Sequence, residues 1–520
     1  MAEDVSVLVV GAGPTGLLLA AELHRRGVET RIIDSYPAPL HWDRATVIHP
    51  RSLEVFESLG ILEPLLAEGV KQLKVRIHSA GGVLGEMDLA TCGSRHGFNL
   101  GISEEVTESI LDAYLTRQGG VINRLSTLVD LSTSGDGVLA TVQHNGHEEQ
   151  VAAQWVVGCD GYHSTVRKLA GIEMLGRDIT EPWAVFDVTL AAWPESYEAT
   201  YAYFDEIPTI LTALPQRRWR AYVRPHSPDA DLLADAASTI RRYHPEIEFE
   251  NVSNPTRFHC HAKVAARFRS GRILLAGDAA HVCSPAQGHG MNSGLQDAFN
   301  LAWKLALVCK GHCSSALLDT YEAERHPVAE KIVASGEAAE ELQGERTGQE
   351  RATRDAMLRS AFADPATRHH ETVAEAELDI DYTGSTIVIG NPHDVLGPGQ
   401  RLPDTIEISG GEPRRLHEMT FRTGHTALLI GPADGSDTSL SQLARQINEL
   451  RDVALVEAVF ALATGATSGD STRRISPDAA DLLGVSDMTL LVVRPDGYLG
   501  LRADHDHVGA FTAYESRLRG

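Results

Sequence analysis

The alternation of apolar and polar positions divides the chain into distinct stretches. Val5 to Val10 (VSVLVV) is an almost unbroken apolar, β-branched run, the pattern of a parallel strand covered on both faces. Leu17 to Arg26 follows with helical spacing and is closed by Gly27, and Thr30 to Ile33 gives a second strand ending on Asp34. A polar, hairpin-like region, Thr141 to Gln154, leads into the apolar strand Trp155 to Val157 and a helix from Ser164 to Leu169. Between 181 and 268 the period changes to two in WAVFDVTLAAW, ATYAYFDEIPTILTALP and RWRAYVRP, which predicts an antiparallel sheet with one face over a ligand. Its inward positions are read as Trp183, Phe186, Tyr201, Tyr203, Leu211 and Leu214. Arg272 to Ala276 is another strand, Ser293 to Leu307 an amphipathic helix, and the chain past Leu317 is strongly helical. A Pro/Gly-rich stretch at 390–404 predicts a linker. Beyond it, HTALLIGPADG, LSQLARQINEL and MTLLVVRPDGYLGLRAD give a β-α-β order closed by a hairpin at Pro495-Asp496-Gly497.

Three turns between these elements carry chemistry. Gly11, Gly13 and Gly16 form G-x-G-x-x-G between a strand and a helix, and Asp34 ends the next strand. Gly11 permits a tight turn, Gly13 lets backbone amides approach a pyrophosphate, and Gly16 lets helix and strand pack closely. The helix N-terminus adds partial positive charge for the phosphates, and an acid at Asp34 suits a ribose without a 2′-phosphate. The second turn, Gly158 to Gly161, precedes a helix whose first turn holds Ser164 and Thr165. The third runs from Gly277-Asp278 to Gly288, Gly290, Met291 and Asn292 and presents amide donors at a helix start.

Composition narrows the function. With 46 basic against 71 acidic residues the net charge is -25, a field that repels phosphate backbones and argues against a nucleic-acid partner. At 520 residues, two or three domains are expected. No apolar run approaches the roughly 20 residues of a membrane span, and the first strand begins without a basic region or a small-residue cleavage site. The six cysteines contain no CxxC pair, which points to a reduced cytoplasmic protein without a metal site. No second G-x-G-x-x-G follows a strand, so no separate nicotinamide domain is expected.

In this order, GAGPTG (11–16), CDGYHSTVR (159–167) and GDAAH…GHGMNSGLQDAFNLAWKL (277–305) resemble the class A flavoprotein aromatic monooxygenases, the family of para-hydroxybenzoate hydroxylase and phenol hydroxylase. The likeness spans roughly residues 3 to 340. It implies an α/β fold with a discontinuous Rossmann-like FAD-binding domain (1–180 and 269–390), an antiparallel β-sheet substrate domain (181–268) and a thioredoxin-like C-terminal domain (391–520). That last domain lacks cysteine, so it has no redox role. The resemblance further implies FAD as cofactor, NADH or NADPH as reductant, O2 as co-substrate and a small phenol-like or polyketide-like aromatic substrate, with the chain a monomer or homodimer. Other flavin chemistry (a Baeyer–Villiger-type oxygenation or a reduction) and a non-catalytic FAD-binding module are the alternatives.

Carried over to this chain, Gly11, Gly13, Pro14, Thr15 and Gly16 would form the pyrophosphate turn, Asp34 would meet the adenosine ribose and Leu128 the adenine. Arg44 would reach the pyrophosphate and the nicotinamide nucleotide. Asp160, Gly161 and Arg167 form the second motif, while Gly277 and Asp278 would meet the ribityl chain. Pro285, Gly288, Gly290, Met291 and Asn292 would lie beneath the isoalloxazine. Arg220, Tyr222 and Tyr203 are the candidate substrate contacts, and Tyr222, His49 and His289 the candidate acid–base groups. Glu104 stands where the family usually has glutamine, and Gln287 and His289 also depart from the pattern.

Overall fold

The computed structural model describes residues 3–39, 45–135, 137–179, 182–343, 347–412, 414–432, 437–465 and 473–520. Glu3–Val10 lies inside an eight-stranded sheet, parallel to Thr30–Ile33 on one side and to His147–Gly158 on the other. Ile273–Leu275 extends the sheet beyond His147–Gly158, again in parallel. The short apolar run expected at Trp155 to Val157 is thus the end of a strand of 12 residues. Its polar first half pairs antiparallel with Gly137–His144, and only its last residues are covered on both faces.

A seven-stranded sheet forms the second layer, in the order Glu248–Phe258, Trp183–Ala191, Arg218–Val223, Thr209–Leu214, Ala199–Tyr203, Lys74–Ser79, Gly82–Asp88. Two of its strands come from residues 74–88, outside the 181–268 range, and Lys74–Ser79 joins Ala199–Tyr203 in parallel. Leu232–Ile240, a helix the two-residue period did not show, lies within that range; Asp231 caps it by accepting from Leu233 N and Ala234 N.

The C-terminal unit is a five-stranded sheet with helices Asp437–Leu450, Pro477–Leu482 and His507–Arg519. His425–Pro432 runs parallel to Val456–Thr464 and antiparallel to Thr489–Val493, which pairs with Leu499–Ala503. This is the thioredoxin-like order of a β-α-β half followed by a β-β-α half. Its hairpin is fixed to the first domain by a buried ionic cluster. The Arg494 guanidinium meets both Glu324 oxygens at 2.8 Å, Lys304 Nζ meets Glu324 at 2.6 Å, and Trp303 Nε1 donates to Asp496 at 3.0 Å. No described helix is long and apolar enough to cross a membrane.

Candidate active site

The glycine turn divides its labour as the spacing predicts. Gly11 sits at φ 102°, and a Cβ there would overlap the Cys159 carbonyl; a Cβ on Gly16 would overlap the Gly11 carbonyl. Gly13 is open, with only Glu108 Oε1 near a Cβ, at 3.8 Å. Two glycines therefore bring chain segments into contact, and the third opens the backbone to the cavity. The helix Pro14–Arg25 starts with proline, which has no amide to leave unpaired. Asp34 accepts from Ala12 N at 2.7 Å and from Tyr36 N at 2.8 Å, so one carboxylate fixes the turn while lining the cavity.

The cavity itself encloses about 1170 Å³ and runs from this turn to the seven-stranded sheet. A single ligand site is typically about 300–1,000 Å³, so this space suits a dinucleotide together with a second molecule. Gly11, Gly13, Pro14, Thr15, Asp34, Glu104 and Leu128 line one end. Asp160, Gly161, Asp278, Pro285, Gly288, Gly290, Met291 and Tyr222 line the rest of the positions expected from the sequence. Arg44 lies outside the described residues.

Several expected residues stand behind the wall. Arg167 donates to Ala279 O at 2.9 Å and Tyr162 O at 2.6 Å, tying the second and third turns together. Gly277 sits at φ 60° and donates its amide to Asp297, which also meets His281 at 2.7 Å and Arg325 at 2.7 Å. His281 and Arg325 outweigh burial and hold the Asp297 carboxyl below its usual range. The helix expected from Ser293 begins at His289, so Gly290 to Asn292 form its first turn and its free amides point out of the helix start. The Asn292 side chain faces inward, accepting from His49 N and donating to Val47 O and Gly288 O, each at 2.9 Å. His49, at the N-cap of Pro50–Ser58, and His289 both lie behind the Gly288 floor.

On the sheet side, Tyr222 OH meets Thr46 Oγ1 at 2.9 Å, and both residues line the cavity. Arg220 does not reach it: its guanidinium is buried against Asp187 at 2.6 and 3.1 Å. None of Trp183, Phe186, Tyr201, Tyr203, Leu211 and Leu214 lines the cavity; Phe186, Tyr201, Tyr203 and Leu211 fill the apolar cluster on the far face. Thr200, Ala202, Ile210 and Thr212 hold the near face instead. A period of two fixes which residues share a face, and a shift of one exchanges the faces.

Other contributors escaped the sequence reading. Asn99 and Glu108 line the cavity; burial and the Glu104 carboxylate push Glu108 up to about 8. Glu108 follows Glu104 by one helical turn, a spacing that could have revealed it. Leu342, Gln343, Leu358 and Phe362, from the helices Asp319–Gln343 and Gly348–Ala363, close the side facing the sheet. No local signal marked them.

Residues 4–335 match the FAD binding domain family. The chain belongs to that family. Across 98% of its length it is 32% identical to 6-methylpretetramide 4-monooxygenase of Streptomyces rimosus, covering 93% of that protein. It is 30% identical to pentachlorophenol 4-monooxygenase of Sphingobium chlorophenolicum, over 85% of this chain and 83% of the relative. Aklavinone-11 hydroxylase, solved as a ternary complex with FAD and aklavinone, superposes with a TM-score of 0.77 at 25% identity, covering 100% of this chain and 99% of the other. This flavoprotein is an FAD-dependent monooxygenase. Its residues suit that cofactor: the Gly13 backbone is bare where a phosphate must approach, Asp34 ends the second strand, and helix-start amides face the cavity at Gly290 and Met291.

Proposed function

We propose that this flavoprotein hydroxylates a neutral, fused-ring aromatic compound of phenol or polyketide type, using NADH or NADPH and O2. The observation that carries it is the second half of the cavity, where Val75, Ile77, Ala202, Phe204, Leu358 and Phe362 form an apolar slot continuous with the dinucleotide cradle. Arg220 and Arg224 are bound to Asp187 and Glu340 and line no part of the cavity. Of the arginines that do line it, Arg257 donates to the Ala230 carbonyl and Arg124 stands by Asp34 at the other end, while Glu371 and Glu375 line the wall. A carboxylate would be repelled there. Relatives named for 6-methylpretetramide and pentachlorophenol support the same class.

When bound, FAD accepts electrons from the nicotinamide and activates O2 for transfer of one oxygen atom. The chain's own residues bind, orient and exclude water. Gly13, Asp34 and Leu128 are proposed to hold the adenosine end, Asp278 the polyol, and the Gly288–Met291 floor the isoalloxazine. Asp160, which accepts from Ser164 Oγ, Thr165 N and Val166 N, holds the turn of the second motif. Tyr222, hydrogen-bonded to Thr46, is proposed as the catalytic residue that holds the substrate hydroxyl and its proton at the phenolic oxygen. His49 and His289 act from behind the floor as positioning residues. Buried Gln343, whose Oε1 has no hydrogen-bond partner among the described residues, is proposed to accept from a second polar substituent. Six free cysteines support a reducing, cytoplasmic setting.

The test is a panel of phenols, anthraquinones and tetracyclic aromatics scored for stimulated NAD(P)H oxidation and O2 uptake. A product heavier by one oxygen atom is expected from a neutral fused-ring compound. Turnover confined to aromatic carboxylates would overturn the substrate class.

A further inference from the structure

Behind the Gly288–Met291 floor lies a buried cluster that no substrate or cofactor contact accounts for. His289, the first residue of its helix, meets Glu377 Oε1 through Nδ1 at 2.8 Å. The second Glu377 oxygen accepts from Gln296 Nε2, two turns along the same helix. Glu377 is 2% exposed and sits at φ 57°, a backbone state costly for any residue but glycine. The fold thus holds a carboxylate against a helix start at some strain. The His49 ring lies 4.9 Å from that of His289, and its Nε2 would be 3.4 Å from a Cβ on Gly288.

The His49 ring is held from both sides. Nε2 faces the Gln287 carbonyl oxygen at 3.1 Å, and Nδ1 faces Asn99 Oδ1 at 3.0 Å. Asn99 cannot be turned over without loss, because its Nδ2 donates to Glu375 Oε1 at 3.1 Å. Both ring nitrogens therefore face oxygens, which fixes the ring against the Gly288 turn. For His289, burial disfavours the cation, but Glu377, and after it Glu375 and Asp379, outweigh burial and raise its pKa. The charged and titratable groups facing the pair are Glu377, Glu375 and Asp379; among the described residues no lysine or arginine bonds to either ring.

We infer that His289, held by Glu377 and packed against the His49 ring, provides a cationic base plate beneath the cavity floor that stabilises the negative charge FAD gains on reduction. This rests on the proposal that the isoalloxazine lies on that floor. The plate adds a full charge to the partial charge of the helix start, in a site from which water is excluded. Glu377 is the positioning residue: it keeps the proton on His289 and lines no part of the cavity.

The experiment uses the FAD-loaded protein under anaerobic conditions, with the reduction potential read against a reference dye from pH 6 to 10. His289→Gln and Glu377→Gln are expected to favour oxidised FAD, lowering the ratio of reduced to oxidised affinity about tenfold at pH 7, while Glu377→Asp stays near the parent. The gap between parent and His289→Gln closes as pH rises and the imidazolium loses its proton. Nitrogen NMR of labelled histidine in the unsubstituted holoprotein reads the same state without a variant, and two protonated ring nitrogens on His289 at pH 7 are expected. Equal potentials at every pH with FAD retained, or a neutral His289 ring, would overturn the inference. A stoichiometric divalent metal would also overturn it, since His49, His289 and Glu377 place one ligand atom each within 4.8 Å of one another. Loss of the proposed floor as the flavin site would show differently: substitutions at Gly288 and Gly290 would leave the flavin spectrum and affinity unchanged.

Discussion

The two halves of the cavity are built by different means. The half proposed for the cofactor is backbone: Gly11 and Gly16 leave no room for a Cβ, and Asp34, Asp160 and Asn292 bond mainly to main-chain atoms. The apolar half is side chain, gathered from strands near 75, 200 and 210 and from helices near 342 and 362. A backbone-built site tolerates little, because a carbonyl cannot step aside. A side-chain-built site can exchange volume and polarity residue by residue while the scaffold stays, which suits a family whose named members act on different aromatics.

The largest effect that would test this contrast is at Gly16. Gly16→Ala should cost about 3 kcal/mol or more and abolish FAD retention, whereas Gly13→Ala, facing open space, should melt normally and lose FAD affinity about tenfold. Melting temperature and absorbance of bound flavin separate the two; a stable, yellow Gly16→Ala protein would end the backbone account. Next is Glu22, buried on the helix that carries the glycine turn and bonded to Arg25, Arg26 and Tyr114. Burial pushes its carboxyl up, but the two guanidiniums outweigh it and hold it down at about 2. A depressed folded value means that this stability is present above the unfolded value near 4.5 and is lost as pH falls toward 2. Glu22→Gln should cost about 3 kcal/mol at pH 7 and flatten that part of the acid-unfolding curve followed by circular dichroism.

Smaller changes belong to the apolar half. Phe362 packs against Gly85 and lines the cavity. Phe362→Ala should raise KM for a fused-ring substrate about tenfold with FAD affinity unchanged, and Gln343→Leu should do so only for substrates with a donor at that end. A matched loss of FAD would show that the halves are not separable. The smallest effect expected returns to the glycine-turn half, at Glu108. Below about pH 8 it is neutral, and above that it places a carboxylate beside Gly13. FAD affinity should fall severalfold as pH rises through 8, and Glu108→Gln should flatten that dependence in a fluorescence titration.

Local rules made the cofactor half legible. Glycine spacing encodes close approach within one strand–turn–helix unit, so the roles of Gly11, Gly13 and Gly16 could be assigned from the chain, as could the strand ending at Asp34. The same rules stopped at the wall's second layer. Arg167 and Asn292 belong to the right motifs, yet their side chains turn inward to Ala279 and to Val47, a choice made by partners more than a hundred residues away. Tyr203 shows the limit from the other direction. Its alternation was readable, but which face looks on the cavity depends on what packs on the sheet, and the helix Leu232–Ile240 covers the face that carries Tyr203.

The sequence alone determined the glycine turn, the fold class and the acidic charge of this flavoprotein, because each follows from short-range sterics, from motif order or from composition. Tertiary structure decided the rest: the helical wall with Gln343 and Phe362, the spent charges of Arg220 and Arg224, and the imidazole plate locked by Glu377. These are meetings of segments far apart in the chain. No periodicity encodes them, because their energy comes from burial and pairing that exist only after the chain has folded.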